Sequence, residues 1–144
     1  MKSIGIIVFA LLSGALLSQD AKCQSVEIPD KANTIRVINT KTDLFKFVAQ
    51  TLMIEGYTID LSDAAIGIVN CNKPMMDGKI NLNIMVADST INIRGNASLD
   101  LGVYGNSPSV VENRGMKGSA ARKWWNEMNR VARILGNNPS YFQN

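Results

Sequence analysis

The stretch KINLNIMVADSTINIRGNASLDLGV, residues 79–103, decides the fold. Ile80, Leu82, Ile84 and Val86 alternate with Asn81, Asn83 and Met85. After Asp88 and Ser89 the alternation resumes. Ile91, Ile93, Gly95, Ala97, Leu99 and Leu101 stand against Asn92, Arg94, Asn96, Ser98 and Asp100. Two runs of period two joined by a short polar turn predict an antiparallel hairpin with one dry face and one wet face. A dry sheet face has to be covered, and the sequence supplies two amphipathic helices for that purpose.

The first helix is expected after residues 34–38 (TIRVI), a β-branched run that reads as the first strand. Thr40 or Thr42 is placed to cap it. Leu44, Phe45, Phe47, Val48, Leu52 and Met53 recur at helical spacing, and Gly56 stops the helix in a left-handed conformation. Residues 24–31 read as a lead-in or edge strand. Residues 57–61 (YTIDL) and 66–71 (IGIVNC) read as further strand, either one bent strand or two short ones, ended by Lys73 and Pro74. Gly67 suits a bulge or bend there. Residues 104–118 hold three Gly, a Pro and several Asn and Ser, and so read as one long irregular loop. Ser119 caps the second helix, with a stripe of Ala121, Trp125, Met128, Ala132 and Leu135 flanked by Trp124 and Val131. Glu127, Asn129 and Arg130 are expected on its opposite face, and Gly136 at its end. The tail that follows is polar apart from Tyr141 and Phe142. The expected architecture is α+β: a two-layer sandwich in β-α-β-β-β-α order. An antiparallel sheet of four to five strands carries both helices on one face.

The first 23 residues read as a secretory leader outside this domain. Lys2 is a short positive start, residues 4–17 are apolar apart from Gly and Ser, and polar residues follow. Cleavage after Cys23 would leave about 120 residues, one domain's worth. Lys22 and Asp20 stand where a lipobox needs a small residue and Leu, which argues against a lipoprotein. The whole chain has 15 Lys and Arg against 12 Asp and Glu. Without the leader the charge is about +2, too mild to imply nucleic acid. Cys71 is then a lone cysteine inside an apparent strand; retention of Cys23 would permit a bridge between the two.

The run 34–136 resembles small exported domains of Bacteroidetes and other Gram-negative bacteria that share a TBP-like, or helix-grip-like, fold. The helix-grip domains of the outer-membrane assembly lipoprotein BamC are similar in order. Asp43-Leu44-Phe45, Glu55-Gly56-Tyr57-Thr58-Ile59, Ala65-Ile66-Gly67-Ile68-Val69 and Glu112-Asn113-Arg114-Gly115 carry the likeness. The resemblance implies a fold and an exported address. It implies no barrel-assembly role, because this chain lacks the lipobox and the second domain.

Chemistry is constrained by what is missing. The chain has no histidine, which removes the commonest general base and metal ligand. No phosphate loop, dinucleotide fingerprint or calcium loop occurs. Asp60 with Asp63, or Asp88 with Asp100, are carboxylate pairs only by residue type, and all four fit turns or wet strand faces. The basic residues Lys117, Arg122, Lys123, Arg130 and Arg133 could meet anionic lipid or form a solvated helix face. The amide cluster Asn81, Asn83, Asn92, Arg94 and Asn96 would form an open surface able to bind sugar or peptide groups. Asn113 and Arg114 are the remaining candidates. The sequence therefore predicts a non-enzymatic exported protein with no catalytic residue, metal or cofactor. It would bind an envelope protein, glycan or lipid, or alternatively carry a small ligand between sheet and helix.

Overall fold

A computed structural model describes residues 27–144. The leader, its cleavage site and Cys23 lie outside the described residues. Over the described residues the chain is α+β: a seven-stranded, fully antiparallel open sheet and two helices. In order, the elements are β1 (Thr34–Ile38), α1 (Leu44–Ile54), β2 (Thr58–Asp63), β3 (Ile68–Met75), β4 (Gly78–Ala87), β5 (Thr90–Asp100), β6 (Asn106–Val110), α2 (Ala120–Leu135) and β7 (Asn137–Phe142). A short 3-10 turn at Gly102–Tyr104 separates β5 from β6. Among the described residues no helix is long and apolar enough to cross a membrane.

The central hairpin forms as its alternation predicts. β4 pairs with β5 from Gly78↔Leu99 to Ala87↔Thr90, so Asp88 and Ser89 alone make the turn. Asp88 takes φ 50°, the left-handed conformation such tight turns require. Ile80, Leu82, Ile84, Ile91, Ile93 and Ala97 are buried on one face. The same core cluster contains Val48 and Leu52 of α1 and Trp125, Met128, Val131 and Leu135 of α2.

Seven strands replace the expected four to five because two segments found free sheet edges. β1 covers only the first part of β5, from Ile38↔Thr90 to Thr34↔Arg94. The remainder, from Asn96 to Asp100, is left for β6, which occupies part of the expected loop. Pro108 is tolerated there because β6 is an edge strand. The tail becomes β7 on the far side of β1, with Tyr141 in the core and Phe142 on the other face. Conversely, residues 27–31 end in a turn and form no strand.

Local corrections have physical causes. Residues 57–71 divide into two strands, and Gly67 lies in the turn between them at φ +69°. A Cβ there would sit 2.2 Å from the Val86 carbonyl oxygen. The bulge lies instead in β2, between Ile59 and Leu61. β3 runs on through Lys73 and Pro74, paired with β4 as far as Met75↔Gly78. Asp43, not Thr40 or Thr42, occupies the N-cap of α1, in a left-handed conformation without a side-chain cap bond. Met53 lies off the stripe and is 55% exposed. Gly56 stops α1 at φ +83° as expected. Ser119 caps α2 as expected, its Oγ accepting from Arg122 N at 3.3 Å. Gly136 ends α2 in extended geometry. Glycine is needed there for space, since a Cβ would lie 2.7 Å from Ile38 O.

Trp125 is 2% exposed, with its ring centroid 6.0 Å from that of Tyr141. Trp125→Ala is expected to cost about 3–5 kcal/mol through lost burial and the cavity left behind. Chemical denaturation should show this as a lower midpoint at unchanged slope.

Candidate functional site

Period two sends every second side chain of five strands to the face opposite the core, and the register aligns them in rows. One row runs Asn72, Asn81, Asn96 across β3, β4 and β5. The next runs Asn70, Asn83, Arg94, Thr34 and Phe142 across β3, β4, β5, β1 and β7. A third runs Met85, Asn92, Arg36. The sequence-predicted residues Asn81, Asn83, Asn92, Arg94 and Asn96 are therefore brought together, each half-buried or exposed. Asn70, Asn72 and Arg36 complete the surface. They were legible only once the partner strands and their register were known.

The amides are partly paired among themselves. Asn83 Nδ2 donates to Asn70 Oδ1 at 2.5 Å, and Asn72 Nδ2 donates to both carboxylate oxygens of Asp60 at 2.6 and 2.8 Å. Two shallow clefts open on this face. One, of about 290 Å³, is lined by Thr34, Arg36, Asn83, Met85, Asn92, Arg94, Phe142 and Asn144. The other, of about 250 Å³, is lined by Asp60, Asn70, Cys71, Asn81, Leu82, Asn83 and Asn96. Asn83 borders both.

Asn113 and Arg114 lie elsewhere, just past β6, and are spent on structure. Asn113 Nδ2 donates to Pro29 O at 3.0 Å, and its Oδ1 accepts from Arg122 Nη1 at 2.7 Å. Arg114 pairs with Glu112 at 2.9 Å and donates to Ser109 Oγ at 3.0 Å. These contacts fasten the segment before β1, the end of β6 and the start of α2.

A second polar cluster escaped the sequence reading. Glu127, Asn129 and Arg130 of α2 are half-buried instead of facing solvent. Glu127 Oε1 accepts from the Tyr57 hydroxyl and Lys73 Nζ, each at 3.0 Å, and from Arg130 Nη2 at 2.9 Å. Its Oε2 accepts from Arg130 Nε at 2.8 Å, and Arg130 Nη1 reaches Glu55 Oε2 at 2.5 Å. The three-residue spacing of Glu127 and Arg130 was the available signal. Hydrogen bonds from Arg130, Lys73 and Tyr57 hold the Glu127 carboxyl at about 2 against an opposing desolvation effect. Burial beside Glu127 pushes the Tyr57 phenol well above its ordinary value. A saturated carboxylate of that acidity is a poor general base at neutral pH. The cluster ties the end of α1, the start of β2, β3 and α2 together.

The other reactive groups are equally occupied. Cys71 is 1% exposed, and burial pushes its thiol up to about 12, so little thiolate forms at neutral pH. Asp63 Oδ1 accepts from Ala65 N at 2.9 Å, and Asp100 Oδ1 from Gly102 N at 2.8 Å, both in turn chemistry. Asp88 and Asp100 flank opposite ends of β5 and cannot meet. Among the described residues no cluster of three acidic or cysteine side chains could hold a metal ion. Comparison of the chain with protein-family models and with curated proteins finds no match in either.

Glu127 has an ordinary value of 4.5 and a folded value of about 2. Its contribution to stability is complete above 4.5 and is lost as pH falls towards 2. Glu127→Gln should therefore cost about 3 kcal/mol at neutral pH. It should also flatten the acid limb of denaturation midpoint against pH, and a limb as steep as in the parent chain would refute the assignment.

Proposed function

We propose that this chain is a non-enzymatic, exported envelope module that binds a protein or other envelope component through its open amide-rich sheet face. The leader-like first 23 residues support the address. The observation that carries the reading is the aligned polar rows on one sheet face, bordered by two clefts joined at Asn83. Both helices lie on the opposite face in this reading. The single core cluster joining their stripes to the dry-face strand residues supports that placement.

Several observations favour binding over catalysis. The chain has no histidine, its buried thiol is held protonated, and Glu127 is saturated with donors. Side-chain amides offer paired donors and acceptors in fixed rows, which suits hydrogen-bonded recognition. The alternative of a small ligand gripped between sheet and helix has less support. Trp125, Met128, Val131, Ala132 and Leu135 fill that space at 0–2% exposure.

The test is affinity capture from the native envelope with the tagged mature protein, followed by mass spectrometry. A reproducible component is expected, retained about tenfold less by the double variant Asn81→Ala/Asn96→Ala. Retention that ignores this variant, or no retained component, would overturn the reading. Lipid bound inside a protein whose sheet face is dispensable would favour the carrier instead.

A further inference from the structure

Arg133 apart, the cations of α2 are occupied, and the arginines of the sheet face differ from them in one respect. Lys123 is paired with Asp77 and Arg130 with Glu127 and Glu55, while Arg122 donates to Asn113 Oδ1 and Gly115 O. Arg36 and Arg94 have no carboxylate partner among the described residues. Each is instead held by its Nε. Arg36 Nε donates to Asn92 Oδ1 at 2.9 Å, and Arg94 Nε donates to Thr34 Oγ1 at 3.2 Å. Their Nη groups carry no protein hydrogen bond among the described residues, so the terminal donors of both forks are free. Thr34 is 5% exposed and its hydroxyl also accepts from Asn144 Nδ2 at 2.9 Å, which gives Arg94 a fixed support. Arg36 is further held over the Phe142 ring, 4.9 Å from its centroid.

These two guanidinium groups sit on paired strands, one row apart, in a cleft lined by no acidic side chain. Guanidinium forks with free Nη donors match carboxylate and phosphate oxygens. The other side chains of the lining are neutral, the amides of Asn83, Asn92 and Asn144 and the apolar surface of Met85 and Phe142, and the terminal backbone oxygen of Asn144 accepts from Asn33 Nδ2 at 2.9 Å. Amides suit hydroxyl groups, and apolar side chains suit the C–H faces of sugar rings. From Asn83 the second cleft continues along Asn70, Asn81 and Asn96. The track crosses the sheet face from Phe142 on the edge strand β7 to Asp60 on the edge strand β2. Between those edges the backbone is paired within the sheet, so a bound chain would meet side-chain donors and acceptors along most of the track.

We propose that this track binds a linear acidic glycan, with an anionic group seated between Arg36 and Arg94 and neighbouring rings lying over the asparagine rows. The inference rests on the module reading above and specifies the ligand of the same face. At about 290 Å³ the anion-binding cleft is at the small end for a ligand pocket, so it grips about one sugar unit of a longer chain. Affinity comes from charge at one end and from several amide contacts along the track.

The test uses the mature protein, tri-galacturonate, its carboxyl-reduced neutral counterpart, inorganic phosphate and an Asp/Glu-rich peptide as probes in calorimetric titration. Tri-galacturonate is expected to bind, weakening as salt is raised. Arg36→Gln and Arg94→Gln should each weaken it about tenfold or more. In amide-resolved NMR the side-chain signals of Asn83 and Asn92 should shift. Circular dichroism and melting of the variants report their folding, and Asn83→Ala supplies an independent change at the junction of the clefts. Four results would overturn the proposal: equal binding of the neutral trisaccharide, phosphate alone binding as tightly, tighter binding of the acidic peptide, or no binding of tri-galacturonate. If the envelope capture succeeds and still depends on Asn81 and Asn96, those results remove the glycan while the module reading stands. Failure of the capture removes the module reading itself.

Discussion

β5 is longer than any single partner on one of its edges, and the fold depends on how that edge is shared. β4 follows β5 from Thr90 to Leu99 on the other side. On the shared side β1 takes Thr90 to Arg94 and β6 takes Asn96 to Asp100. Gly95 stands at the junction. Val111 N donates to its carbonyl at 2.9 Å, and a Cβ would lie 3.0 Å from Val111 Cβ and 3.1 Å from Met128 Sδ. Glycine thus lets the chain leaving β6 and a core side chain of α2 press against one point of the sheet. The split also admits β7 beyond β1, which brings Phe142 and Asn144 to the edge of the polar face.

The second tie is the Glu127 cluster. A carboxylate this enclosed is costly to bury unless donors surround it. Tyr57, Lys73 and Arg130 supply them from the residue before β2, from β3 and from α2. Arg130 spans onward to Glu55 at the end of α1. Removing one member leaves the others buried and short of partners, so the cluster fixes the mutual placement of both helices and the β2–β3 hairpin more than any single pair would.

What could be read in advance follows from range. Period two in residues 79–103 and the stripe of α2 are local signals, and both were legible because each residue reports its own burial. β6 and β7 were not, because neither segment declares a strand: Asn106–Val110 contains Pro108, and Asn137–Phe142 contains Pro139. They become strands because β5 and β1 present unpaired edges, a property of partners distant in sequence. The same distinction divides the candidate site. Asn81, Asn83, Asn92, Arg94 and Asn96 share one hairpin, and alternation alone grouped them. Arg36, Asn70 and Asn72 join through pairing with other strands. Asn113 and Arg114 looked free in an Asn- and Gly-rich stretch, yet their partners at Pro29, Ser109 and Arg122 come from other turns of the chain.

Charge usage gives the surface its direction. The mild net charge of +3 conceals an uneven distribution. On α2 the cations are largely spent in structure: Lys123 closes against the β3–β4 turn, Arg122 fastens the approach to the helix, and Arg130 builds the Glu127 cluster. Among the described residues the one acidic side chain lining either cleft, Asp60, accepts both of its hydrogen bonds from Asn72 at the opposite end from Arg36 and Arg94. The face is therefore polarised, with cationic donors near β1 and β7 and an acceptor near β2. A neutral amide surface between the two ends would hold a ligand without setting its sense. For the ligand proposed above, that polarity would distinguish one orientation of a bound chain from the reverse.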